Sequence, residues 1–242
     1  GPSRRGGAGE RAVRVVTFNI RFARAIDRAI ELLATHPDLR GADILCLQEM
    51  DEAGTGRIAA ALGLHHVYYP ATVHPAHGRN FGNAILSRWP IRDDRKILLP
   101  HLGRFRHSQR IAVAGTVSID GEEVRVYSLH AATPFEVGPR GRREQIQTVL
   151  ADALRGPAER WIVAGDFNFS GTPADLLRGG GAWPTRGLGP TFLFWPVDHI
   201  VARGLRPCAP TAGAAGAGVV RDVRGASDHR PVWAVFTLPR GG

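Results

Sequence analysis

"WIVAGDFNFS", Trp161–Ser170, joins a short apolar run directly to a carboxylate and a carboxamide. Four apolar residues bounded by a glycine read as a buried strand, and Gly165 permits a tight backbone turn at its end. Asp166 and Asn168 stand two residues apart, on one side of the chain if the extended geometry persists. In many proteins such a pair only caps a turn. At the C-terminal mouth of a strand it can also hold a water and a phosphate. What the other strands end in decides between the two.

They end alike. "VVTF" (15–18) ends in Asn19, "ILCLQ" (44–48) in Glu49 and "VYSL" (126–129) in His130. Asp198-His199 opens the run "HIVA", and Asp228-His229 precedes "PVWAVF". Strands of one sandwich can bring such distant positions to a single rim. Around them, Ile26, Ile30 and Leu33 have helical spacing, as has "GRREQIQTVLADALR" (141–155), and "GRIAAALG" (56–63) reads as a short helix stopped by glycine. "HHVYYP" (65–70) and "NAILS" (83–87) read as strands joined by the loop 71–82. Two apolar runs around Asp120-Gly121 signal a hairpin. Thr172-Pro173 supplies a helix cap and first-turn proline. Residues 179–189 read as a glycine-rich loop and 210–218 as a flexible connection. Hairpin-linked strands mixed with helix-linked ones predict an α/β sandwich of two mixed β-sheets flanked by helices.

The totals agree with one domain. The chain has 242 residues, 43% of them hydrophobic, and all-sheet or mixed domains of this length are common. We expect a single domain over 12–242 after a disordered, Gly- and Arg-rich tail at 1–11, and a monomer. The formal net charge of +9, with a pI of about 10.9, favours a polyanionic partner, nucleic acid or an anionic membrane surface. All the basic residues except Lys96 are arginine, so compositional bias contributes to that charge. Cys46, in an apolar run, reads as a small buried hydrophobe; Cys46 and Cys208 show no zinc spacing and leave the compartment open. No apolar stretch reaches a membrane span of roughly 18 residues. The chain starts Gly1-Pro2, which reads as the scar of a cleaved tag, so a natural export signal or membrane anchor could precede it. The aromatic residues show no interleaving with basic ones of the kind that stacks single-stranded bases.

The residue types at the strand ends fit together as chemistry. Glu49 is a hard carboxylate suited to Mg²⁺, with Asp228 as a second or water-mediated ligand. Asp166 can orient or deprotonate an attacking water, while Asn19 and Asn168 hold Asp166 or phosphate oxygens without adding charge. His229 can donate to a phosphoryl oxygen with Asp198 fixing its orientation, and His130 offers a second acid or donor. Together these types read as a site for phosphoester hydrolysis.

"TFNIR", "LQE", "GNAILS", "SLHAA", "GDFN", "VDHI" and "SDHRPV" occur in the order found in the endonuclease/exonuclease/phosphatase superfamily, over residues 13–238. "FNIR" and "LHAA" resemble its deoxyribonuclease-I-like branch. The resemblance implies a four-layer α/β sandwich with a divalent metal at one rim, and the roles just given to Asn19, Glu49, His130, Asp166, Asn168, Asp198, Asp228 and His229. Mg²⁺ is the expected ion, with Mn²⁺, or Ca²⁺ as an auxiliary. Arg110 is similar to an arginine that contacts phosphate in that branch. The glutamate supporting its first catalytic histidine corresponds here to Asn83, which we group with Arg110 as a phosphate contact. Arg21 stands where abasic-site endonucleases carry an acidic residue, which argues against that branch. The expected activity is metal-dependent phosphodiester hydrolysis in nucleic acid, DNA favoured; the alternative substrate is a phospholipid, lipid diphosphate or small phosphorylated molecule.

Overall fold

The computed structural model describes residues 11–73, 78–104, 107–169, 181–209 and 216–239. In chain order the elements are β1 (Arg11–Asn19), α1 (Ile26–Thr35), β2 (Ile44–Met50), α2 (Glu52–Leu62), β3 (His65–Val73), β4 (Asn80–Ser87), β5 (Ile91–Leu98) and β6 (Ile111–Ile119). They continue as β7 (Glu122–His130), α3 (Pro139–Arg155), β8 (Arg160–Asp166), β9 (Asp198–Arg203), β10 (Arg206–Pro207), β11 (Ala217–Val219) and β12 (Val232–Leu238).

Two mixed sheets result. One runs β10-β12-β1-β2-β4-β3 with β11 beside β12; the other runs β5-β6-β7-β8-β9. Each contains one parallel pair, β1 with β2 and β7 with β8, and otherwise antiparallel neighbours. Alternation along the strands makes four layers. Val13 and Val15 of β1, Ile44 of β2 and Ile162 and Ala164 of β8 meet in a core between the sheets. The intervening residues turn outward. Val16, Phe18, Leu45 and Leu47 pack under α1 and α2 with Leu32, Leu33 and Ile58, and Trp161 and Val163 pack under α3 with Ile146, Val149 and Leu150. This is why "WIVA" is apolar at every position: both faces of β8 are covered.

Several expectations shift. Gly165 lies inside β8 rather than at a turn. A Cβ there would sit 1.9 Å from the Leu129 carbonyl oxygen, so close approach of β7 demands glycine. β5 was not anticipated because "IRDDRKIL" is mostly charged; it is an edge strand with five successive exposed residues, the charged edge that resists further pairing. α2 starts earlier than the glycine-rich sequence suggests, because Asp51 accepts a cap from the Gly54 amide at 2.7 Å. Part of the expected connection 210–218 is the strand β11, and residues 210–215 lie outside the described residues. Arg11, expected in the tail, instead begins β1 and pairs with Leu238. Thr172-Pro173 and residues 1–10 also fall outside the described residues. The Asp120-Gly121 hairpin forms as expected, with φ of 51° and 91°. Cys46 is buried, as expected of a small hydrophobe in an apolar run. Among the described residues no helix is long and apolar enough to cross a membrane.

Candidate active site

The topology gathers the strand ends. In the second sheet His130 of β7 is registered against Asp166 of β8, and Asp166 against Asp198 of β9, so the three form one cross-strand row. β9 runs antiparallel to β8, which is why Asp198 starts its strand while Asp166 ends one. In the first sheet Asn19 lies beside Gln48 at the ends of parallel β1 and β2. A register shift between Leu47 and Met50, with Glu49 at φ 58°, re-aims the Glu49 side chain toward this rim.

Asn19 joins the two sheets at the site. Its Nδ2 donates to Glu49 Oε1 and to Asp166 Oδ2, both at 3.2 Å, and its Oδ1 accepts from the Arg21 amide at 3.0 Å. Glu49 Oε2 accepts from the Phe22 amide at 3.1 Å. Asp166 Oδ1 accepts from the Asn168 amide at 2.9 Å, so the pair does form a local turn, with Asn168 at φ 46°. The Asn168 side chain donates to the Ala131 carbonyl at 2.9 Å, fastening that turn to the end of β7. Capping and site-building therefore coexist. Asp166 Oδ2 also lies 3.6 Å from His130 Nε2 and 3.8 Å from His229 Nε2. His229 Nδ1 is 2.9 Å from Asp198 Oδ2, and Phe192 stacks on its ring at 4.6 Å between centroids.

Burial and charge tune these groups. Burial and the neighbouring Asp198 charge raise the Asp166 carboxyl well above the carboxylate range, against the opposing effect of His229 and the Asn168 amide. Burial alone would lower His229, but the charge and hydrogen bond of Asp198, with Asp166 and Glu49, outweigh it and raise the imidazole to about 10. Burial likewise raises Glu49. His130 moves the other way: burial, then the charges of Arg110 and His229, hold it well below its ordinary value, so it is neutral.

The support of His130 corrects two expectations. Asn83 is buried, and its Nδ2 donates to the carbonyls of Ile111 and Ser128 at 3.0 and 3.1 Å. It stitches β4 to the facing sheet and is not available to phosphate. Arg110 is also enclosed: its Nη1 donates to the His130 ring, 2.9 Å from Nε2, and its Nη2 to Glu136 Oε2 at 2.6 Å. The guanidinium thus positions His130 rather than presenting an open phosphate contact. Glu136, which the sequence gave no reason to single out, is linked to His130 through Arg110. Burial opposes its ionisation, but Arg110, Ser108 and the Thr133 amide bring it down to about 2. Thr191 was missed as well; its Oγ1 accepts from the Val197 and Asp198 amides at 3.0 Å and so holds Asp198 in register.

The donor set fits a hard divalent cation. Half-buried Glu49 and buried Asp166 are two carboxylates sharing one amide, Asp198 Oδ1 is buried with no hydrogen-bond partner among the described residues, and ligand atoms of Asp166, Asp198 and His229 lie within 4.8 Å of one another. His229 and Asp198 are engaged with each other, which leaves Glu49 as the carboxylate most suited to metal. Asp228 is more exposed than expected of a ligand, 3.3 Å from Arg21 Nε, and a cation would compete with Arg21 for it. Away from this rim, His65, His66 and His107 are exposed and His101 pairs with Glu144, while His74 and His77 lie outside the described residues.

A two-sheet sandwich with this row of acids and histidines at one rim defines a phosphoester-hydrolase architecture. Residues 16–229 match the Endonuclease/Exonuclease/phosphatase family, and the chain belongs to it. Members of this family are hydrolases acting on phosphoester bonds. No curated protein matches the chain. Among solved structures it is similar to an endonuclease/exonuclease/phosphatase family protein from Bacteroides thetaiotaomicron, at 18% identity over 96% of this chain and 99% of that one, with a TM-score of 0.72. It is also similar to sphingomyelinase C from Streptomyces griseocarneus, at 18% identity over 94% and 99% with a TM-score of 0.65. A third is D. rerio TDP2 complexed with single strand DNA product, at 15% identity over 93% and 98% with a TM-score of 0.66. At such identities the likeness establishes the fold.

Proposed function

We propose that the chain hydrolyses phosphodiesters by in-line attack of water, with a divalent cation, Mg²⁺ or Mn²⁺, held by Glu49 with help from Asp228. The observation that carries this reading is the Asn19 amide bridging Glu49 and Asp166, which unites a metal-suited carboxylate and a base in one pocket. When bound, the cation neutralises charge on the phosphate and on the leaving oxygen. Asp166, its carboxyl raised toward neutrality, takes the proton of the attacking water as the water oxygen bonds to phosphorus and the opposite P–O bond breaks. The departing oxygen is protonated from solvent. Asn19 and the Asn168 amide fix the two Asp166 oxygens so that the base cannot rotate away. Protonated His229, oriented by Asp198, donates to a phosphoryl oxygen. Neutral His130, held by Arg110, donates a hydrogen bond there without adding charge.

For the substrate, nucleic acid is one reading, supported by the net charge of +9. A phospholipid is the other, supported by the exposed Leu193-Phe194-Trp195 turn beside His229. Turnover assays with plasmid DNA, single-stranded DNA, RNA and phosphocholine lipids, in Mg²⁺ and Mn²⁺ and with Asp166→Asn as the control, test both. Hydrolysis of none of them would defeat the proposed reaction.

A further inference from the structure

Among the described residues eight large apolar side chains stand exposed, and seven lie at the end of the sandwich that carries the site. Leu193, Phe194 and Trp195 are 62%, 86% and 59% exposed at the tip of a tight turn closed by the Phe192–Trp195 bridge. That turn is anchored to the site, because Phe192 both bridges to and stacks on His229. On the other side of the mouth stand Phe135, 82% exposed, and Leu102, whose loop hydrogen-bonds through Arg104 to the Glu136 carbonyl. Val73 pairs with Asn80 next to Phe81, which contacts the His130 ring, and Leu98 pairs with Ile111, the register partner of His130. Only Leu154, in the last turn of α3, lies at the far end.

From this distribution we infer that the site-bearing end docks on the surface of an anionic phospholipid bilayer. The inference rests on the hydrolytic reading only for what the mouth delivers its substrate to; docking itself requires neither cation nor turnover. Exposed apolar groups gathered on one face mark an interaction surface, and aromatic side chains favour the membrane interface. Four of the seven are aliphatic, which a lipid surface accepts and a base-stacking platform cannot use. The three at the turn are consecutive on a sharply bent backbone, so they fan outward as a knob instead of lining a groove. Leu193 has φ 47° at the first central position of a two-residue hairpin, where glycine is favoured. A leucine held in that conformation, projecting outward, is a strained feature that suits insertion. Arg104 and Arg221 are exposed on the same end, beside Arg21 and Arg79, which pair with Asp228 and Asp51, so positive charge lies where anionic head groups would be.

Flotation with phosphatidylcholine–phosphatidylserine vesicles in EDTA tests docking apart from catalysis. Wild-type protein is expected to float with these vesicles and to be released by salt. The double variant Phe194→Ser, Trp195→Ser should partition about tenfold more weakly or worse, since two apolar side chains are withdrawn. Leu154→Ser, at the far end, should bind as wild type. Absence of vesicle binding by wild type, equal binding by the double variant, or loss in the double variant of single-stranded oligonucleotide binding with vesicle binding retained would each overturn the inference. Hydrolysis without vesicle binding refutes docking alone, and vesicle binding without hydrolysis of any panel substrate refutes the reaction alone.

Discussion

Replacing Asp198 by asparagine isolates one electrostatic relationship. Asp198 is buried, 2.9 Å from His229 Nδ1, and its charge is the largest influence raising His229. A displacement from 6.5 to about 10 corresponds to about 5 kcal/mol in favour of the imidazolium. The folded-state value is raised, so this stabilisation is fully present below about pH 6.5 and is lost as pH rises toward 10. Asparagine keeps the shape and removes the charge. With Asp198 gone, burial opposes protonation with only Asp166 and Glu49 against it, and His229 should titrate well below its wild-type value. Two measurements follow. In metal-free protein, NMR of the His229 ring should show the wild-type imidazole protonated at pH 8 and the variant neutral. In the loaded enzyme, kcat at pH 8 should fall about 10²-fold or more, the scale for losing a general acid or donor, with a smaller deficit at pH 6, where the variant imidazole regains its proton. A variant whose His229 still titrates above 9, or whose kcat deficit is the same at both pH values, would refute the assignment of Asp198 as the group that keeps His229 charged.

Other substitutions test other parts of the same construction. Glu49→Gln should weaken Mn²⁺ binding at least tenfold by calorimetry, and undiminished binding would move the cation to Asp166, Asp198 and His229. Glu136→Gln should cost about 3 kcal/mol at neutral pH by denaturant unfolding, because Glu136 is lowered from 4.5 to about 2. Its folded value is depressed, so the deficit should be present above pH 4.5 and shrink as pH falls toward 2; a pH-independent deficit would contradict the role of the Arg110 charge. Gly165→Ala should lower stability by more than about 3 kcal/mol or prevent folding, since the new Cβ meets Leu129 backbone that cannot move without parting β7 from β8. An unchanged Tm for that variant would show that the pair is not so closely held.

Much of the fold was legible in sequence because its signals are local. The apolar runs of β1, β2, β8 and β12, the Asp120-Gly121 turn and the period of α3 each state their structure within a few residues. β5 was not legible, because an edge strand is free to be charged and so loses the pattern that betrays a strand. The gathering of the candidate residues was legible for a related reason: Asn19, Glu49, His130, Asp166 and His229 are polar residues set at the ends of apolar strands. By itself the sequence determined which polar residues stand at strand ends.

Only the tertiary structure decided how they act. Asn83 and Arg110 looked equivalent as polar residues near a strand, yet packing buries one against two carbonyls and ties the other to His130 and Glu136. The same holds for the apolar rim: Leu193-Phe194-Trp195 reads in sequence as one more hydrophobic run, and its exposure exists only once the turn closes beside His229. Identity and period are properties of the chain, whereas exposure, charge state and partnership depend on which distant segments arrive, and long-range sheet pairing fixes that.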